Sequence, residues 1–130
     1  MRNLIFLLVG LVMLLGARAV NAAPEILLSP SGTLQFAVEL NGEGRPDWSL
    51  ARNGVPVIGR SRLGFILADA PKLERNLEMV GVERGAGDTR WEQPWGERRF
   101  VTDRHSELTV TFREKTPLKR LMRLRVRLFD

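Results

Sequence analysis

The sequence predicts an all-β fold, an antiparallel β-sandwich in which two sheets cover each other's apolar faces, on three observations. Apolar residues recur at every second position in several short runs. Breaks follow one another at short intervals: Ser29-Pro30-Ser31-Gly32, Asn41-Gly42-Glu43-Gly44, Asn53-Gly54, Gly59, Ala70-Pro71, Gly85-Ala86-Gly87 and Thr116-Pro117. The stretches between them have room for strands and hardly any for helices.

The first 22 residues stand apart from this pattern. Arg2 supplies a positive start, Leu4 to Leu15 form an apolar run broken only by Gly10, and the small residues Ala17, Ala19, Ala22 and Ala23 follow. This is the pattern of a secretory signal peptide over residues 1–22, with Val20-Asn21-Ala22 as the best cleavage site. The run is shorter than the roughly 20 apolar residues a spanning helix needs, so no membrane association is expected after cleavage. The mature chain, 23–130, is expected in the periplasm or outside the cell.

Each strand then has its own signature. Leu34, Phe36, Val38 and Leu40 alternate with more polar neighbours and predict a strand with one buried face. Asn53-Gly54 lies between Trp48 and Leu50 on one side and Val55 and Val57 on the other, the pattern of a two-residue hairpin turn with positive φ at both positions. Pro56 has no N–H for a ladder, which places its strand at a sheet edge or at a strand start. Leu63, Phe65 and Leu67 predict a further strand, as do Leu108, Val110 and Phe112. The closing segment admits a helix on Leu118, Leu121, Met122 and Leu128. The strict alternation of Met122, Leu124, Val126 and Leu128 with Arg123, Arg125 and Arg127 favours a strand, paired with the preceding one through Thr116-Pro117. The chain stops directly after this strand, so a partial domain is expected, with part of the strand's apolar face uncovered.

Composition removes most catalytic chemistries. There is no Cys and a single His, so disulfides, thiolate zinc sites, cysteine nucleophiles and multi-histidine metal centres are excluded. The formal charge is +5, from 20 Lys and Arg against 15 Asp and Glu. The cations are dispersed among acids except for Arg120, Arg123, Arg125 and Arg127. Alternate strand residues share a face, so this group could form an anion-binding stripe. Glu107 and Glu114 on the neighbouring strand make a salt-bridged face the simpler outcome, and no nucleic-acid partner is expected.

Trp91-Glu92-Gln93-Pro94-Trp95-Gly96-Glu97 is the segment most suggestive of a ligand. Indole rings stack on the apolar faces of sugars and carboxylates accept their hydroxyl hydrogen bonds, so Trp91, Trp95 and Glu97 are the candidate carbohydrate-binding residues. Core packing, or a crossover between sheets shaped by Pro94-Trp95-Gly96, is the competing reading. Glu92 and Glu97 invite comparison with the carboxylate pair of glycoside hydrolysis, but closeness in sequence does not supply the required geometry, and no catalytic residue is assigned. His105 is expected at a turn, where a solvated or turn-bonding histidine is the ordinary outcome. No spacing of acids suits a metal loop, so no metal ligand or cofactor is expected in this stretch of chain.

Five segments in order, Ser29-Pro30-Ser31-Gly32, Ser61-Arg62-Leu63-Gly64, Trp91 to Glu97, Glu107-Leu108-Thr109-Val110 and Arg127-Leu128-Phe129-Asp130, resemble the start of the N-terminal domain of glycoside hydrolase family 97. The resemblance runs from about residue 26 to the end. It implies a large galactose-mutarotase-like sandwich, followed in the same polypeptide by a (β/α)₈ barrel that holds the catalytic carboxylates of an α-glucosidase or α-galactosidase. It also implies a calcium ion in the full-length protein. The barrel, the catalytic carboxylates and the calcium ligands have no matching positions in this chain. A free-standing secreted carbohydrate-binding module, or a structural or interaction protein, is the alternative.

Overall fold

The computed structural model describes residues 23–130, so the expected signal segment lies outside the described residues. Seven strands follow in order: β1 (Glu25–Leu28), β2 (Leu34–Leu40), β3 (Pro46–Arg52), β4 (Val55–Arg62), β5 (Leu77–Glu92), β6 (Phe100–Glu114) and β7 (Leu121–Phe129). They form a four-stranded sheet, β1-β2-β3-β4, and a three-stranded sheet, β5-β6-β7. All five pairings are antiparallel. β1 lies against β6 and β2 against β5, which makes the two sheets a sandwich.

The alternating runs deliver the core. Phe36 and Val38 from β2, Leu27 from β1, and Leu108, Val110 and Phe112 from β6 are buried together with Leu73, Leu77, Met122 and Leu128. Trp48 stacks on Phe36 with ring centroids 5.8 Å apart. Asn53 and Gly54 have φ of 50° and 78°, as the two-residue turn between β3 and β4 demands. β4, with Pro56, is an edge strand, as is β1.

Specific contacts tie the sheets together. Arg84 of β5 reaches β1, its Nη1 donating to the Ile26 carbonyl at 2.6 Å and its Nη2 to Glu25 at 2.7 Å. The turn before β3 rests on the start of β5: Leu77 N–H donates to the Gly44 carbonyl at 2.9 Å. A Cβ on Gly44 would stand 2.7 Å from the Leu77 carbonyl oxygen, and its φ of +65° likewise requires glycine. The Ser31 N–H donates to Asp130 Oδ1 at 2.8 Å, joining the first turn to the last residue.

Four sequence expectations need correction. No strand forms on Leu63, Phe65 and Leu67: β4 ends at Arg62, Phe65 makes one isolated bridge to Leu73, and Phe65, Ile66 and Leu67 are exposed. The chain doubles back there so tightly that a Cβ on Gly64 would lie 2.6 Å from Glu74 Cβ, and only Leu73 of the loop enters the core. Gly85-Ala86-Gly87 is not a break but the middle of β5, paired with Glu107, Ser106 and His105. His105 accordingly lies within β6 rather than at a turn, and it is buried. The apolar face of β7 is mostly covered, with Met122 and Leu128 buried. Leu124 and Val126 are half-buried and border a cleft of about 490 Å³ that opens between the sheets, with Phe36, Trp48, Leu50 and Ile58 on the other side.

Candidate functional site

β7 ends at Phe129, paired with His105, whereas β5 and β6 continue together through Glu92 and Phe100. From Asp88 and Arg104 onward the three-stranded sheet is therefore a two-stranded arm. A ribbon of two strands buries little, and from Asp88 to Phe100 every residue is exposed. Trp91 is 45% exposed near the end of β5 and Trp95 is 84% exposed in the turn. Among the described residues neither indole enters the core, and the segment turns within one sheet instead of crossing between sheets.

The tip has its own local order. Gln93 N–H donates to the Arg99 carbonyl at 2.7 Å, closing the turn, and Gly96 adopts φ of +114° within it. Arg99 Nε donates to Glu92 Oε1 at 2.7 Å. The Arg90 and Arg99 guanidinium carbons lie 4.2 and 5.4 Å from the Phe100 ring centroid, so cation–π contacts brace the arm across its two strands. Glu92 is thus committed to Arg99, while Glu97 is an exposed turn residue. Phe100, Arg90 and Arg99 escape sequence reading because their contact depends on the hairpin register; the triplet Arg98-Arg99-Phe100 beside the Trp residues was the available signal.

Below the arm, polar groups occupy the outer face of the three-stranded sheet. His105 Nδ1 is hydrogen-bonded to Asp103, its Nε2 lies 3.9 Å from Glu107, and its ring is 5.2 Å from that of Phe129. Gly87, across the ladder, leaves the space: a Cβ there would stand 2.8 Å from His105 Nδ1 and 3.0 Å from Nε2. The arginine group is largely engaged in pairing. Arg125 and Arg127 both bind Glu107, at 2.8 and 2.6 Å, and Arg120 binds Glu114 through Nε and Nη2 at 2.8 and 2.9 Å. Hydrogen bonds from Arg125 and Arg127 hold the Glu107 carboxyl below its ordinary range. The bond from Arg120 does the same for Glu114, and that from Arg113 for Glu78. Arg120 also donates to the Pro71 and Lys72 carbonyls at 2.7 and 3.2 Å, pinning the crossover between the sheets.

Among the described residues no group of three or more His, Asp or Glu is arranged to hold a metal ion. Glu107, Glu114 and Glu78 are each held by arginine side chains.

The model of the glycosyl-hydrolase 97 N-terminal domain matches residues 27–130. The chain belongs to glycoside hydrolase family 97, as its N-terminal domain. Solved structures agree. A family 97 enzyme from Pseudoalteromonas sp. strain K8, in complex with panose, superposes on this domain with a TM-score of 0.77 at 30% identity over 82% of the chain. The same enzyme in complex with acarbose gives the same values. A β-arabinopyranosidase shares the fold at 24% identity with a TM-score of 0.71. This family 97 domain spans 16% of the length of each of those chains. No curated protein matches it.

Proposed function

We propose that this family 97 domain is the leading part of a secreted α-glucosidase or α-galactosidase, and that its β5–β6 arm offers Trp91, Trp95 and Glu97 to a carbohydrate whose hydrolysis is carried out by a (β/α)₈ barrel of the same polypeptide. One observation carries the role of the arm: Trp95, 84% exposed, stands at the end of a braced ribbon beside the half-exposed Trp91. Leaving large indole surfaces in water is unfavourable unless a ligand or partner covers them. A sugar face suits an indole, and the neighbouring Glu97 carboxylate accepts hydroxyl hydrogen bonds. The complexes of the Pseudoalteromonas enzyme with panose and acarbose support a saccharide as the ligand class. Secretion is supported by the arrangement of Arg2, the Leu4–Leu15 run and the following alanines.

The test uses the full-length polypeptide and compares 4-nitrophenyl α-glucoside, 4-nitrophenyl α-galactoside and maltotriose. Trp95→Ala is expected to raise KM about 3- to 10-fold for the preferred substrate with kcat little changed, the signature of lost ground-state binding. An unchanged KM for all three would remove the arm from the binding site.

A further inference from the structure

A second polar recess lies far from the arm in sequence, on the outer face of the four-stranded sheet. Glu39 of β2 and Asp47 of β3 are direct cross-strand partners, as are Ala37 and Ser49, and Arg60 reaches them from β4. Like charges opposed across a ladder repel, and Arg60 answers that repulsion only in part. Its guanidinium binds Glu39, whereas its Nη1 stays 3.9 Å from Asp47 Oδ2, beyond hydrogen-bonding reach. Asp47 is nevertheless only 5% exposed, and its Oδ1 has no hydrogen-bond partner. A buried carboxylate oxygen ordinarily has donors, so this one marks an unmet demand.

These side chains, with Pro24 and Trp48, line a recess of about 220 Å³. Its walls are apolar at Pro24 and Ala37 and polar at Glu39, Asp47, Ser49 and Arg60. The Arg60 side chain is 64% exposed, so it can be re-aimed without disturbing the core. Glu39 and Asp47 face Arg60 in the recess and Arg62 stands opposite Asp47 in the ladder, so the charges balance and neither an anion nor a cation is favoured. Carboxylates only accept, so the fitting ligand is a compact neutral molecule that carries several donors and an apolar face.

We propose that this recess is a subsite for a single sugar residue, whose neighbouring hydroxyls donate to the carboxylates of Asp47 and Glu39 and whose oxygens accept from Arg60 and Ser49. The inference rests on reading the domain as carbohydrate-contacting, but it places the contact on β2, β3 and β4 rather than on the arm. A free monosaccharide and the end of an oligosaccharide present the same chemistry.

Saturation-transfer NMR on the full chain tests this, with methyl α-glucopyranoside, methyl α-galactopyranoside and maltotriose as probes. Transfer to at least one probe is expected, with affinity falling about fivefold or more in Asp47→Asn and about two- to threefold in Ser49→Ala. Asp47→Asn should cause the same fall in a Trp95→Ala background, because the two contacts are separate. Transfer confined to one end of maltotriose and lost in Asp47→Asn supports the subsite with an oligosaccharide end as its occupant. Absence of transfer from all three probes overturns it, as does transfer that persists unchanged in Asp47→Asn and Ser49→Ala. Transfer that is lost in Trp95→Ala but kept in Asp47→Asn overturns the subsite and leaves the arm standing. The opposite result supports the subsite whatever becomes of the arm. Should Asp47→Asn fail to fold, Glu39→Gln and Ser49→Ala decide, and unchanged binding in both counts against the proposal.

Discussion

Gly87 has one neighbour that decides its identity. The His105 ring occupies the place a side chain would take, held by Asp103 on one nitrogen and by the Phe129 ring on its face. Gly87→Ala is expected to destabilise the domain by about 1–3 kcal/mol in chemical unfolding, the usual cost of forcing an added methyl into a filled space. His105→Ala in the same chain should recover part of that loss, because the two residues compete for one volume. Independent, additive losses would show that the glycine is not there for the histidine. Gly54 answers to its backbone instead: with φ of 78° and open space around it, Gly54→Ala should cost on the order of 1 kcal/mol through left-handed strain alone.

The β6–β7 hairpin is the element whose electrostatics respond to pH. Glu107 and Glu114 have carboxyls lowered by arginine hydrogen bonds, so the folded state holds their protons less tightly than the unfolded chain does. Their contribution is fully present above the unfolded carboxylate range, about pH 4.3, and is lost as pH falls through the lowered folded values. The melting temperature should therefore fall on acidification below about pH 4, and the slope should be shallower in Glu114→Gln. Identical acid slopes in the variant and the parent would contradict this. The same hairpin was legible in the sequence, because Leu108, Val110 and Phe112 alternate as cleanly as Met122, Leu124, Val126 and Leu128 do. β5 was not legible. On its outer face stand Gly81, Gly85 and Gly87, of which only Gly87 is crowded by the residue opposite, and a strand with glycines at these positions shows no alternation of its own. β1, only four residues long, was too short to display a period. The tip residues Trp91, Trp95 and Glu97 were legible as a cluster of unusual composition. Asp47 was not, since nothing in Pro46-Asp47-Trp48 announces a buried carboxylate lacking a donor.

For the molecule as a whole, the unpaired edges of β4 and β7 flank the apolar cleft, and Val55, Val57, Leu121 and Phe129 are exposed along them. Edges of this kind pair with other chains. The 130-residue chain is expected to self-associate in light scattering at micromolar concentration, and a monomer with one sharp thermal transition would contradict that expectation. The same chain is expected to release no nitrophenol from 4-nitrophenyl α-glucoside or α-galactoside, since Glu92 is held by Arg99 and its partner across the arm is Phe100 rather than a carboxylate. Turnover abolished by Glu97→Gln would refute this. The order of the strands bears on how such a molecule is made. Every hydrogen-bonded strand pair joins neighbours in sequence, so each sheet is a meander that closes only short loops. On a ribosome, β1 to β4 can assemble while β5 is still being synthesised. What must wait is the docking of one meander on the other, through Arg84 and Glu25 and finally through Ser31 and Asp130, a bond that cannot form until the last residue described here has been translated.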